Sequence, residues 1–154
     1  MLKRIAKSSA RALGASFAIV ASKYNGRYVD AMLKAAQREL KKAGAKVRVV
    51  RVPGAFEVPV VAAQLAALEP KPSAIICLGV IFQGQTSHAQ HVGWGVTHAL
   101  AQIQVQQRIP VIHGVFVFEK EEHARVRCLG RTHNRGTEAA HTALEMARVM
   151  RGLA

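Results

Sequence analysis

The sequence has 154 residues and 50% of them are hydrophobic, which is enough for one compact core and too little for two ordinary domains. Its 22 Lys and Arg residues outnumber its 9 Asp and Glu residues and give a formal net charge of +13. This excess favours anionic partners without choosing among phosphates, metabolites and nucleic acid. Cys77 and Cys128 form no C-x-x-C pair, which excludes a zinc ribbon and favours a reduced intracellular protein.

The first 16 residues are basic and rich in serine, and they contain no acid. The residues concerned are Lys3, Arg4, Lys7, Ser8, Ser9 and Arg11. An organelle transit segment has this composition, and a short basic arm explains it equally well. We expect an arm at 1–16 and a single domain at 17–154. No apolar run approaches the roughly 20 residues of a membrane span, and the start lacks the apolar stretch of a secretory signal. A cytoplasmic protein that binds no membrane is therefore predicted.

Strand-like and helix-like patterns alternate along the chain. Short apolar or β-branched runs that end at turn residues predict strands, and apolar residues at helical spacing predict helices. In chain order the predictions are a strand at 16–22, a helix at 29–44, a strand at 47–52, a helix after Pro53-Gly54 to about Leu68, a strand at 74–82, a helix around 92–103, a strand at 110–118 and a helix at 137–150. Acids at 119, 121 and 122 favour one more helix start after the fourth strand.

Four strands separated by helices predict an α/β domain with a parallel sheet and helices on both faces. Ligands collect at the carboxyl ends of the strands in this architecture. The polar or irregular segments at those ends are 23–26, 53–57, 83–88 and, less clearly, 116–120. The functional residues are therefore expected in these loops.

The loop after the third strand is the most informative of them. Gly84 allows close approach to a ligand, Thr86 offers a hydroxyl, and the amides of 84–87 open a helix whose N-terminus favours an anion. This pattern is typical of a phosphate seat, and an ordinary N-cap by Thr86 or Ser87 also explains it. His88 either moves protons beside a bound phosphate or is only a polar residue at a helix start.

Other chemistries have less support in the sequence. His88 and His91 lie three apart with no acid or cysteine near them, so no metal site is predicted. The chain lacks a G-x-S-x-G nucleophile turn, a complete dinucleotide fingerprint and a G-x-x-x-x-G-K-[ST] loop. A serine nucleophile and sites for NAD or ATP are therefore not predicted.

The densest positive stretch lies between the last two predicted helices and contains Arg125, Arg127, Arg131 and Arg135. Such a stretch is usually a solvated surface. One of its arginines can also bind a phosphate through the guanidinium fork. No RNA-binding aromatic motif or basic recognition helix is present, so specific nucleic-acid binding is not predicted.

Four segments together resemble the lumazine synthase family. They are VPGAFEVP at 52–59, GVIFQGQTSH at 79–88, IPVIHG at 109–114 and the tail around Arg127, 134–136 and 145–147. The resemblance runs from about Phe17 to Met150. It implies a three-layer α/β/α, flavodoxin-like fold with a four-stranded parallel sheet. It also implies condensation of 5-amino-6-ribitylaminouracil with 3,4-dihydroxy-2-butanone 4-phosphate to 6,7-dimethyl-8-ribityllumazine, the penultimate step of riboflavin biosynthesis, without a cofactor.

The resemblance also assigns roles to individual residues. It implies that His88 transfers protons and that Gln85, Thr86 and Arg127 bind the sugar phosphate. The residues implied for the pyrimidine and its ribityl chain are Tyr24, Asn25, Ala55, Phe56, Glu57, Val80, Ile81, Phe82, His113 and Arg135. We expect the groups at residues 24, 55–57, 80–88 and 127 to gather at the strand ends of one subunit, whereas His113 lies near the start of the fourth strand, towards the opposite end of the sheet.

Several positions depart from the family pattern, among them Arg131, where Lys is common, and Thr132-His133, where a small flexible pair is common. Tyr24 stands where Phe or Trp is common, Gln83 where Arg is common, Arg135 where Lys is common, and His113 where a neighbouring subunit usually supplies Phe. The family implies a homo-oligomer of pentamers with shared active sites, and the sequence leaves open a pentamer, a decamer or a sixty-subunit shell. A noncatalytic flavin-binding or shell-forming homologue with the same pocket is the alternative function.

Overall fold

Four parallel strands form one sheet at the centre of the computed structural model, which describes residues 2–3 and 7–154. The strands are β1 (Ser16–Ser22), β2 (Lys46–Val52), β3 (Ala74–Phe82) and β4 (Val111–Phe118). Their order across the sheet is β2-β1-β3-β4, and every pair is parallel. Parallel neighbours need long crossover connections, and helices supply them here. β2 and β4 are therefore the two edges of the sheet.

Helices cover both faces of this sheet. They are α1 (Gly26–Lys42), α2 (Val58–Ala66), α3 (His88–Gln107), α4 (Glu121–Ala124) and α5 (Arg135–Gly152). Successive side chains of a strand point to opposite faces, so Phe17 and Ile19 pack with α1 and α5 while Ala18 and Val20 pack with α2 and α3. This arrangement confirms the predicted three-layer α/β/α fold.

The element bounds differ from the predictions where local hydrogen bonds decide them. The α1 helix begins at Gly26, earlier than predicted, directly after Asn25 in the left-handed conformation at φ 56°. The α5 helix begins at Arg135 because Asn134 Oδ1 accepts the N–H of Gly136 at 2.8 Å and thereby caps the helix. After β4 the chain forms the single turn α4 and then a π-helical turn, Arg125–Leu129, which hydrophobic spacing does not predict.

The described part of the basic arm, 2–3 and 7–15, contains no helix or strand, and residues 1 and 4–6 lie outside the described residues. The Ala12 N–H donates to Ala43 O at 2.9 Å, and the Ser8 N–H donates to His141 Nδ1 at 3.0 Å. These bonds join the arm to the C-terminal end of α1 and to the middle of α5. Within the residues described, no helix has the length and hydropathy needed to cross a bilayer.

Candidate active site

A cavity of about 730 Å³ opens at the carboxyl ends of β1 and β3. We name it the strand-end cavity. Its lining residues are Tyr24, Asn25, Gly54, Ala55, Phe56, Glu57, Val80, Ile81, Phe82, His88, His91 and Val92. The fold therefore brings together every residue predicted for the pyrimidine except His113 and Arg135, and it adds His88. Four segments that are distant in sequence meet here.

Two hydrogen bonds set the shape of the strand-end cavity. Asn25 Nδ2 donates to Val80 O at 2.7 Å and so fastens the turn after β1 to the end of β3. The Gly54 N–H donates to Glu57 Oε2 at 3.0 Å, which fixes that carboxylate and leaves its second oxygen free. Tyr24 and Phe56 are 70% and 65% exposed at this cavity. Exposed aromatic faces over an apolar wall suit a flat heterocyclic ring.

Gly54 lies in close contact with two side chains that line this cavity. A Cβ atom built at Gly54 would lie 2.9 Å from Glu57 Oε2 and 2.9 Å from Tyr24 Cδ2. Any larger residue would therefore displace the carboxylate and the aromatic ring together. The sequence predicts that the second strand ends at Pro53-Gly54. In the structure the small Gly54 also leaves room for the Glu57 carboxylate and the Tyr24 ring.

The loop from Gly84 to Ser87 is exposed, and it precedes His88, which lines the strand-end cavity. Gln85 and Thr86 themselves do not line that cavity. No N–H of residues 84–87 donates to a protein atom within the described part of the chain. Ser87, at the N-cap of α3, makes no side-chain cap bond, while Thr86 Oγ1 accepts the His88 N–H at a long 3.4 Å. These free amides can bind an anion.

A second cavity, of about 790 Å³, runs along the free edge of β4. We name it the edge cavity. Its lining residues are Gln104, Val111, Ile112, His113, Phe116, Val117, Phe118, Glu119, His123, Arg127, Arg135, Glu138, Ala139, Thr142 and Met146. Among the described residues, none lines both cavities. Three predicted site residues, His113, Arg127 and Arg135, are thus held apart from His88.

The structure does not bring Arg127 into the strand-end cavity with His88. The α4 helix and the π-helical turn carry Arg127 back along β4, where it lines the edge cavity. Its Nη1 donates to His123 O at 3.3 Å, within its own turn. Arg135 pairs with Glu138 in the same cavity.

His113 presents an uncharged ring to the edge cavity. Burial lowers its pKa from 6.5, so the ring is neutral near pH 7. The Val115 N–H donates to Nδ1 at 3.3 Å, which places the proton on Nε2. Nε2 then donates to the Thr97 hydroxyl at 2.8 Å. With both nitrogens occupied, His113 resembles a flat aromatic side chain more than a proton carrier.

Tyr28 and Glu121 form a contact that sequence reasoning missed. The buried Tyr28 hydroxyl donates to the Glu121 carboxylate, and its ring meets Phe82 edge-on at 5.5 Å. This hydrogen bond raises the pKa of Tyr28 and lowers the pKa of Glu121. It ties the start of α4, and hence the turn that carries Arg127, to α1. The sequence signal at Glu121 was only its position at a helix start.

The two cysteine thiols are not available for catalysis. Both cysteines are buried and free, and burial raises the pKa of Cys77 to about 12 and that of Cys128 to about 12. Neither thiol is a nucleophile near pH 7. The described residues contain no group of three His, Cys, Asp or Glu side chains arranged to hold a metal ion.

Comparison with known proteins agrees with this geometry. The family model described as 6,7-dimethyl-8-ribityllumazine synthase matches residues 14–151. A protein of that name from Xylella fastidiosa (strain 9a5c) is 40% identical over 146 residues, covering 93% of this chain and 94% of its own. Another, from Stenotrophomonas maltophilia (strain R551-3), is 39% identical over 142 residues, covering 90% and 91%. A third, from Xanthomonas campestris pv. campestris (strain B100), is 39% identical over 139 residues, covering 88% and 90%.

Proposed function

The chain belongs to the 6,7-dimethyl-8-ribityllumazine synthase family, and from this premise we propose how its two cavities divide the reaction. It is a transferase of riboflavin biosynthesis, and the match does not favour a noncatalytic homologue. The substrates of the proposal are 5-amino-6-ribitylaminouracil and 3,4-dihydroxy-2-butanone 4-phosphate. The observation that carries it is that most residues implied for the pyrimidine line one cavity together with His88, whereas Arg127, His113 and Arg135 line another cavity of the same chain.

The strand-end cavity binds the pyrimidine. Its volume of about 730 Å³ lies within the range of small-molecule sites. Tyr24 and Phe56 offer aromatic faces for the ring. The end of β3 at 80–82 supplies the wall and its peptide groups. The free oxygen of Glu57 can accept hydrogen bonds from the ribityl hydroxyls.

The 84–87 loop and Arg127 of a neighbouring subunit bind the sugar phosphate. The loop offers amides that have no protein acceptor among the described residues, at the N-terminus of α3. Arg127 adds a guanidinium fork, which suits a phosphate. Because Arg127 lines the edge cavity of its own chain, the edge cavity of one copy must face the strand-end cavity of the next. The uncharged ring of His113 and the side chain of Arg135 then complete the pyrimidine pocket.

The surface of α3 supports such an assembly. Its 20 residues include no Asp, Glu, Lys or Arg, although the whole chain carries a net charge of +13. Trp94 and Val105 on this helix are 65% and 74% exposed. An uncharged helix with exposed apolar side chains is typical of a surface that a second copy covers. Head-to-tail contacts between copies close into a ring, and we propose a pentamer.

The chemistry then needs few side chains. The 5-amino group of the pyrimidine attacks the ketone of the sugar phosphate, and one water leaves as an imine forms. Phosphate is eliminated, and the ribityl-bearing nitrogen then attacks the remaining carbonyl carbon, so that a second water leaves as the ring closes. His88 lines the cavity next to the phosphate loop, where it can move protons between the amine, the carbonyl oxygen and the departing groups. Holding the two reactants in register supplies much of the rate, up to roughly 7–11 kcal/mol in well-oriented reactions.

The direct test is incubation of the purified protein with both substrates, following the lumazine product by its absorbance and the released phosphate by a colour assay. Product must form only when both substrates are present. We place this reaction in the cytoplasm, a location supported by two buried cysteines that remain free, as in a reducing compartment. Binding of the pyrimidine without turnover would contradict the proposed function.

A further inference from the structure

The side chain of Gln83 folds over the loop that follows it. Gln83 Nε2 donates to Thr86 O at 2.8 Å and to Gly84 O at 3.3 Å. Both partners are carbonyl oxygens, so the nitrogen of the side-chain amide must face the loop. The Gln83 main-chain N–H donates to Phe118 O at 2.9 Å, which fixes the base of the side chain between β3 and β4. Gln83 thus joins the rigid sheet to an otherwise exposed turn.

These two bonds determine where the loop amides point. In a trans peptide the C=O and the N–H of the following residue lie in one plane and point in opposite directions. A bond from Gln83 to Gly84 O therefore turns the Gln85 N–H away from Gln83. The bond to Thr86 O turns the Ser87 N–H away in the same manner. Neither of these N–H groups donates to another protein atom in the described residues.

From this geometry we infer that Gln83 is a positioning residue that aims the Gln85 and Ser87 amides at the phosphate of the sugar substrate. The inference rests on the proposed phosphate site and adds a residue that does not itself touch the substrate. Loop amides that must first be ordered bind an anion more weakly than amides already held in place. Gln83 therefore acts on the affinity for one substrate only.

The test uses two substitutions that remove the donor in different ways. Gln83→Met keeps a similar length and no charge but cannot donate, whereas Gln83→Glu places a carboxylate against two carbonyl oxygens. Gln37→Met is the matched control, because Gln37 is exposed on α1. We expect both Gln83 variants to raise KM for the sugar phosphate roughly threefold to thirtyfold, the effect of losing one or two neutral hydrogen bonds. KM for the pyrimidine and Tm should stay at the parent values.

A calorimetric titration with inorganic phosphate gives a second readout on the assembled enzyme. Affinity for phosphate should fall in Gln83→Met and Gln83→Glu and stay unchanged in Gln37→Met. Parent-like phosphate affinity and KM in Gln83→Met would overturn the inference, as would an equal loss for both substrates, which indicates general damage. If Arg127→Ala weakens phosphate binding while Gln83→Met does not, only this inference fails. If neither Arg127→Ala nor Gln83→Met changes the affinity for phosphate, the proposed phosphate site itself fails.

Discussion

His88 and Arg127 line different cavities of the same chain, His88 at the strand ends and Arg127 along the free edge of β4. Because the two groups open onto different cavities, we expect one bound substrate pair to draw them from two copies. Two copies arranged head to tail can supply both groups, because each then gives its strand-end cavity to one site and its edge cavity to the next.

This separation predicts complementation between two impaired variants. His88→Ala chains keep an intact edge cavity, and Arg127→Ala chains keep an intact strand-end cavity. When the two kinds of chain are dissociated, mixed and reassembled, these intact cavities meet at random. About a quarter of the sites should then be intact, with activity recovered in proportion. Product formation before and after verified subunit exchange measures the effect. A mixture of His113→Glu with Arg127→Ala is the control, since both changes lie in the edge cavity and no mixed site is intact. Recovery in the control, or none in the test mixture, would refute the shared site.

Removing Arg127 should affect one substrate. Arg127→Ala takes away a charge-assisted hydrogen bond of about 1.5–3 kcal/mol, so KM for the sugar phosphate should rise roughly ten- to a hundredfold while binding of the pyrimidine changes little. Steady-state kinetics with each substrate varied in turn separates the two effects. Arg48→Ala, on the exposed β2 edge, is the matched control for loss of one positive charge. Kinetic constants equal to the parent's would remove Arg127 from the site.

Removing His88 should slow the chemistry and leave the fold intact. His88 is exposed at the start of α3, so His88→Ala opens no core cavity. We expect the rate constant of the condensation to fall roughly ten- to a thousandfold, because orientation of the substrates persists when the proton carrier is lost. Single-turnover measurements across pH, with Tm as the check on folding, give this value. A variant as fast as the parent at every pH would contradict the role of His88.

His113 should make stability depend on pH. Its pKa is lowered in the folded chain relative to the 6.5 of a free side chain, because burial disfavours the charged ring. As pH falls below about 6.5, His113 takes up a proton in the unfolded chain before it does so in the folded chain. The free energy of unfolding therefore decreases with falling pH until the pH is below the lowered pKa of the folded state. His113→Phe keeps an aromatic ring and should flatten this part of the curve. Urea titrations of both proteins between pH 5 and 8 compare the slopes, and identical slopes would exclude His113 as the cause.

The hydrophobic pattern and the turn residues of the sequence predict the sheet well. They predict less well where individual side chains such as Arg127 and Gln83 lie. The continuous apolar run at Ala74–Phe82 gives the bounds of β3 because a strand covered on both faces tolerates no polar residue. The lining of the strand-end cavity follows from the rule that parallel strands end at one edge. The position of Arg127 depends on a π-helical turn and on the contact between Tyr28 and Glu121, which no local pattern encodes. The bonds of Gln83 likewise depend on the final path of the loop.

The uncharged surface of α3 has a consequence for assembly size. Each copy brings a formal charge of +13 to the assembly, and α3 adds no Asp, Glu, Lys or Arg side chain to the contact that could offset it. Charge repulsion between copies therefore grows with every subunit added, while the free energy gained by burying apolar surface in each contact stays the same. Counter-ions relieve this repulsion, since the Debye length shortens to about 10 Å at 0.1 M salt. Larger assemblies of this chain should thus be favoured by high ionic strength or by polyvalent anions and should come apart in dilute buffer.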